Sequence, residues 1–151
     1  FPTHKEPPPQ GGRNRRFQMT SGHNRWSIHS MNMTNNVILN THRGEPFAFL
    51  NDRDAAELGI ANGDKVRVTS NAGSMLIQAK LTPSCRPGQV IVYNGFEPYM
   101  HEGWNSQSDV EPGHIKPLGL VGNYGQLKYR MFSWQPIPAD RAVRVDIEKV
   151  S

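Results

Sequence analysis

Between Ser21 and Asn36 the sequence reads SGHNRWSIHSMNMTNN, which places two histidines, an arginine, a tryptophan and four asparagines within sixteen residues. The stretch follows neither a helical nor a strand period, so these side chains are not patterned to pack a core. His23, Arg25 and His29 can meet phosphate oxygens or polar ring edges through charge-assisted bonds. Trp26 offers a flat face, and the amides of Asn24, Asn35 and Asn36 can satisfy a heterocycle. The chemistry this combination fits is recognition of a large, anionic, heteroaromatic ligand. The bland alternative is a polar loop whose histidines and asparagines cap turns, and composition alone gives it equal weight.

Other chemistries fail at particular residues. A zinc hydrolase needs His-Glu-x-x-His on a helix, and the run from His101 to Asn105 begins that way but has Asn105 where the second ligand belongs. The remaining histidines, His4, His23, His29, His42 and His114, lack metal-ligand spacing and nearby carboxylates, so no protein-held metal is expected. There is no Gly-x-Ser-x-Gly elbow, and the single cysteine, Cys85, sits in a turn before a strand, so it reads as structural and no catalytic residue is expected. One cysteine also excludes an internal disulfide or an iron–sulfur cluster held by this segment alone. Gly119, Gly122 and Gly125 are three apart without a strand–turn–helix pattern, which does not support a dinucleotide fingerprint of the Rossmann type.

The elements that must position such a site are short. The 151 residues make one domain's worth of chain, with 36% hydrophobic and 20% charged residues, 14 glycines and 12 prolines, a balance that favours many short strands. Residues 1–16 hold much of the proline and almost no apolar side chains, so they read as a basic linker; Arg13, Arg15 and Arg16 are expected to be solvated, with order beginning near Phe17. PFAFL reads as a strand, followed by a two-turn helix in NDRDAAELGI. There Asn51 is the N-cap, Asp52 and Asp54 complement the positive helix end, Leu50 staples onto Ala55, and Gly59 supplies the left-handed stop. KVRVT and MLIQAKL alternate as a hairpin, VIVY is short enough to be a strand buried on both faces of a closed barrel, and AVRVDIEKV closes the sheet. From Asn94 to Asp140 periodicity gives way to Gly, Pro, aromatic and amide residues, a stretch too long for an idle connection and therefore expected to line something. No apolar run approaches the length of a membrane span, and the net charge of +4 makes an anionic partner plausible.

The segments SGHNRWSIHS, RGEPFAFLNDRDAAELGIANGDKVRVTSNAGS, RPGQVIVYNGFE and KPLGLVGNYGQL together resemble the C-terminal molybdopterin-dinucleotide-binding domain of the dimethyl-sulfoxide-reductase family. Within it, HNRWSIHS, RGEP and GNYGQLKY are most similar to the branch of ethylbenzene dehydrogenase, dimethyl sulfide dehydrogenase, selenate and chlorate reductases and membrane-bound nitrate reductases. The resemblance covers nearly everything from Phe17 to Val150 and implies a mainly β fold, a six-stranded double-psi β-barrel with short helices and long polar loops in residues 17–151. It implies a molybdenum-bis(molybdopterin guanine dinucleotide) cofactor shared with upstream domains, which would also hold the metal ligand and an iron–sulfur cluster. Implied partners are those domains, an iron–sulfur electron-transfer subunit and a haem subunit, with no nucleic acid. The implied compartment leans to the periplasm, although the nitrate reductases of the branch often stay in the cytoplasm.

Residue by residue, the resemblance implies that His23, Asn24, Arg25, Trp26, His29 and Ser30 lie along pterin edges and pyrophosphate oxygens. The strand end at Asn94 and Gly95 matches a place where some relatives carry histidine after the tyrosine, so Asn94 departs from the pattern. The last loop implies a second contact line, with Lys116 near phosphate and Asn123, Tyr124 and Gln126 presenting polar groups. The implied activity is oxygen-atom transfer or hydroxylation by the parent enzyme, with this segment silent alone. One rival is a cofactor-free double-psi barrel that binds protein or nucleic acid, which would have no need of the donors in HNRWSIHS. The other is a self-processing decarboxylase cleaving at Gly73–Ser74, a dipeptide placed in a hairpin turn.

Overall fold

The computed structural model describes residues 14–24, 31, 35–111 and 143–150. Alternation of apolar and polar residues organises them into six strands: β1 (Phe17–Gly22), β2 (Phe47–Leu50), β3 (Lys65–Thr69), β4 (Ser74–Leu81), β5 (Gln89–Tyr93) and β6 (Val143–Lys149). They close into a barrel in the order β1-β5-β2-β4-β3-β6. The β1–β5 and β2–β4 pairs are parallel and the other four antiparallel. Closure removes every open edge, so strands this short stay protected from edge-to-edge pairing.

The interior is filled by every second residue. Phe17 and Met19 of β1, Val66 and Val68 of β3, Val90 and Val92 of β5 and Val143 and Val145 of β6 are all at most 1% exposed. Each side chain of this kind contributes about 1.5–3 kcal/mol by leaving water, which is what holds a barrel with so little helix together. The strand spans match the hydrophobic periods, with two differences. β1 carries only two inward apolar residues in FQMTSG, too weak a signal to stand out in sequence. VIVY is not buried on both faces either, since Ile91 and Tyr93 are half-buried while Val90 and Val92 point inward.

Helix α2 (Asp52–Glu57) is built as its punctuation indicates. Asn51 accepts from the Arg53 N–H at 2.9 Å, Gly59 takes φ +66°, and the Ile60 N–H returns to the Ala55 carbonyl at 2.9 Å. Two of its residues do more than cap. The Asn51 amide donates to the Cys85 carbonyl at 2.7 Å, and the buried Asp54 carboxylate accepts from the Gly88 N–H at 2.7 Å. Cys85 is fully buried, with its thiol directed at the Gln89 and Phe49 carbonyls, and burial pushes its pKa up, away from thiolate chemistry.

Two of the three arginines grouped with the tail, Arg15 and Arg16, are ion-paired to the barrel, Arg16 while 42% exposed; Arg13 lies outside the described residues. Arg16 reaches Asp54 at 3.1 Å and Glu57 at 2.5 Å, while Arg15 pairs with Asp146 at 2.9 Å and donates to Asn71 at 3.1 Å. Composition misread them because their partners lie 38 to 131 residues away in sequence. Asn35 is a second correction. Its side chain accepts from Val37 and Ile38 N–H groups as the N-cap of the short helix α1 (Asn36–Ile38), which continues as a π-turn to Arg43, so the Asn35 side-chain oxygen serves local structure.

Asp54 joins α2, the start of β5 and the entry to β1. Asp54→Ala is expected to destabilise the fold by about 2–3 kcal/mol, as loss of charge-assisted bonds to a buried carboxylate does, measured as a lower urea midpoint at unchanged slope.

Candidate functional site

Parallel strands β1 and β5 run in register, Gly22 opposite Tyr93, and the Asn94 N–H donates to the Gly22 carbonyl at 3.0 Å. The chain segments leaving these strands therefore start side by side at one barrel rim. His23 and Asn24 follow β1; Asn94 and Gly95 follow β5. A side chain at Gly22 would sit 3.2 Å from the Tyr93 ring, so glycine is what lets the tyrosine lie across β1, where it also meets Phe49 edge-on at 5.1 Å. Of the residues assigned to ligand binding, these four are brought to one place. Arg25, Trp26, His29, Ser30, Lys116, Asn123, Tyr124 and Gln126 lie outside the described residues.

Beneath this rim is a cleft of about 140 Å³, lined by Ser21, the β5 end from Val92 to Phe96, His101, and the segment Ser106–Ser108 with Glu111. The chain returns to it after two 3-10 turns, Pro98–Met100 and Glu102–Trp104, reversing through left-handed Gly103 and Trp104. Helix α3 (Gln107–Val110) then begins with a reciprocal cap, in which Ser106 accepts from the Ser108 N–H at 3.3 Å and the Asp109 carboxylate accepts from the Ser106 N–H at 2.8 Å. The Ser70 hydroxyl donates to the Val110 carbonyl at 2.6 Å, and a Cβ at Gly73 would lie 2.7 Å from the Asp109 carbonyl oxygen. The β3–β4 turn is thus pressed against α3, and α3 against the cleft.

Three residues lining this cleft carry buried polar atoms without hydrogen-bond partners among the described residues: Asn94 Oδ1, His101 Nδ1 and Gln107 Oε1. An unsatisfied buried polar atom costs about 1–3 kcal/mol, so the three mark a part of the structure whose polar groups the described residues leave uncompensated. His101 is 6% exposed and Gln107 9%. Burial lowers the His101 pKa against the smaller raising effects of the Leu76 backbone and Asp109, which leaves the ring neutral at pH 7. His101 also lines a second cleft of about 150 Å³ beside Glu45, Lys65 and Glu102, the last two of which form an ion pair. Among the described residues no group of three His, Cys, Asp or Glu side chains is placed to hold a metal.

His101, Ser106 and Gln107 were not legible as site residues. His101 reads in sequence only as half of a failed metal motif, and nothing local places Gln107 beneath the end of β5. The one available signal was the Ser106-x-x-Asp109 cap, which marks a helix start inside a stretch without period.

Two outcomes follow from this packing. Gly73→Ala forces the turn away from Asp109 and should cost about 1–3 kcal/mol, as overpacking does, with the loss visible as a lower thermal midpoint. A depressed His101 pKa means the unfolded chain takes up the proton first, so its contribution to stability is intact above pH 6.5 and declines as pH falls from there toward the folded value. Urea midpoints at pH 7.5 and 5.5 should therefore differ more in the wild type than in His101→Gln, and equal differences would contradict the assignment.

Comparison with known proteins places the chain in a family. The family model described as "Molydopterin dinucleotide binding domain" matches residues 17–119. The chain is 34% identical over 128 residues to dimethylsulfide dehydrogenase subunit alpha of Rhodovulum sulfidophilum, covering 85% of this chain and 14% of that one. It is 32% identical to respiratory nitrate reductase subunit alpha of Haloferax mediterranei, across 99% of this chain and 16% of the relative. Chlorate reductase subunit alpha of Ideonella dechloratans is 32% identical over 88% of this chain and 15% of its own length. The chain thus spans between 14% and 16% of these relatives. Among solved structures, acetylene hydratase from Pelobacter acetylenicus shares the fold over 55% of this chain and 11% of that one, with a TM-score of 0.51 at 17% identity. The chain belongs to the molybdopterin-dinucleotide-binding domains of the dimethyl-sulfoxide-reductase family.

Proposed function

We propose that this domain binds and orients a molybdenum-bis(molybdopterin guanine dinucleotide) cofactor as the C-terminal part of an oxidoreductase catalytic subunit. The observation that carries the reading is the pairing of β1 with β5, which delivers His23, Asn24, Asn94 and Gly95 to one rim beside a cleft lined by Asn94, His101 and Gln107. The mixed barrel with two parallel pairs supports the double-psi topology that the family implies.

The residues present fit such a group. A phosphorylated pterin carries many ring donors and acceptors, and the cleft is lined by polar side chains of matching chemistry, Ser21, Asn94, His101, Gln107 and Ser108. The cleft of about 140 Å³ is smaller than the roughly 300–1,000 Å³ of a pocket for a drug-sized ligand, so it holds part of a dinucleotide, with the remainder crossing the rim toward the segments after Asn24. There Arg25, His29 and Lys116 would neutralise the pyrophosphate, Trp26 and Tyr124 would offer ring faces, and Ser30, Asn123 and Gln126 would supply polar groups. When bound, the cofactor supplies the two-electron chemistry of oxygen-atom transfer or hydroxylation; the protein's part is position and electrostatics. The upstream domains of the parent chain would complete the site and carry the iron–sulfur cluster, with an iron–sulfur subunit and a haem subunit as partners and the periplasm as compartment. Relatives named as alpha subunits support membership in a multi-subunit enzyme.

The test is metal and nucleotide content. The intact protein should carry molybdenum and release guanosine monophosphate on acid hydrolysis, and Arg25→Ala should lower molybdenum per polypeptide several-fold with the thermal midpoint of the cofactor-free protein within about 2 °C, as expected of a side chain that serves the ligand and not the fold. Full metal loading with a melted fold would make Arg25 structural instead.

A further inference from the structure

We propose that the exposed aromatic turn at Tyr99 and Trp104 is a docking surface through which this domain holds the upstream part of its own polypeptide, by an arginine- or lysine-bearing patch of that part. The proposal rests on the reading of this chain as the end of a longer catalytic subunit, and not on the cofactor.

Tyr99 and Trp104 are 54% and 70% exposed, on the two 3-10 turns that flank buried His101. Large apolar rings displayed close together in the chain mark a contact surface, and tryptophan and tyrosine are among the residues that most often carry contact energy. Among the described residues neither ring stacks on another ring or lies beneath a cation. Trp104 is also the one described residue other than glycine with a positive φ, +61°, a conformation that bulky side chains rarely adopt. Its backbone N–H donates to the carbonyl of buried His101 at 3.1 Å, so the display of the ring is built into the turn.

Charge indicates the chemistry of the occupant. Residues 97–111 hold Glu97, Glu102, Asp109 and Glu111 and no lysine or arginine, in a chain whose net charge is +4. Aromatic faces among carboxylates suit a cation, above all a guanidinium, which gains from the ring and from the acidic surround together. Position indicates where that cation comes from. Arg15, at the entry to β1, donates to Asn71 at 3.1 Å in the β3–β4 turn, and the same turn seats α3 through Ser70 and Gly73. Polypeptide upstream of the domain therefore arrives beside the 97–111 segment. This chain spans only 14% to 16% of the relatives compared, so a subunit of that kind has a large remainder to be held. A tethered occupant needs little intrinsic affinity, because the covalent connection supplies its effective concentration, and two rings with a few charges suffice.

The test uses the full-length parent protein carrying Trp104→p-benzoylphenylalanine, a photo-cross-linking side chain. Irradiation should join position 104 to a peptide from upstream of this domain that contains arginine or lysine, and Glu97→Lys combined with Glu102→Lys should lower the yield several-fold. Cross-links to another subunit, to a second copy or to residues 112–142 of the same domain overturn the proposal, as does the absence of any cross-link or a yield that the charge reversal leaves unchanged. A second measurement is independent of the probe. Trp104→Gly relieves the left-handed backbone and so favours the fold of the domain itself, yet it should speed tryptic cleavage before Phe17 several-fold by releasing the upstream part, while Trp104→Phe keeps the wild-type rate. Cleavage of Trp104→Gly at the wild-type rate overturns docking. Molybdenum measured on the same samples separates the two readings. Protein without molybdenum that still cross-links upstream ends the cofactor reading and leaves docking intact, and loaded protein that fails to cross-link ends docking alone.

Discussion

The parallel pairing of β1 with β5 is the constraint on which the rest of this domain depends. Parallel strands send their C-terminal ends the same way, so the chain leaves both strands at one rim. The bond from the Asn94 N–H to the Gly22 carbonyl holds the two exits together one residue beyond the end of β5. Gly22 is part of the same constraint, since a side chain there would press on the Tyr93 ring at 3.2 Å, a tighter contact than most. Were the pair antiparallel, His23 and Asn94 would lie at opposite ends of the barrel and no shared cleft would form.

Around this pairing the domain separates stability from recognition. The core is apolar and interlocked, and its polar exceptions are partnered: Asp54 with Gly88 and Arg16, Asn51 with Arg53 and Cys85, Ser70 with Val110. The unpartnered buried side-chain atoms among the described residues are Asn94 Oδ1, His101 Nδ1 and Gln107 Oε1, which all belong to residues at one cleft. Among the described residues, the polar groups of the core are partnered and these three atoms are not, which sets the cleft apart from the core.

The short helix α3 links the two roles. It is too short to be stable alone and is held by the Ser106–Asp109 cap, by Ser70 and by the close approach of Gly73. Each of these contacts comes from the β3–β4 hairpin or from the cap itself, so the position of Gln107 is set by the barrel. The dipeptide Gly73–Ser74, which sequence alone left open to a self-cleaving reading, has a packing role here that explains the glycine.

What the sequence determined by itself is local. Alternation located β3, β4 and β6, short apolar runs β2 and β5, and Asn51 and Gly59 bounded α2, because strand period and capping act over a few residues; the donor-rich stretch at His23–Ser30 admitted a ligand reading that the family resemblance, not composition, favoured. Arg15 and Arg16 looked like a solvated tail and His101 like a broken metal motif, since each takes its role from its surroundings in the fold. Only the closed barrel decided those, by bringing Asp146, Asp54 and Leu76 within bonding reach of residues distant in the chain. Burial then did the remainder: the same histidine, asparagine and glutamine that are unremarkable polar residues in water become demanding acceptors once water is removed from around them, and burial is a property of the packed chain alone.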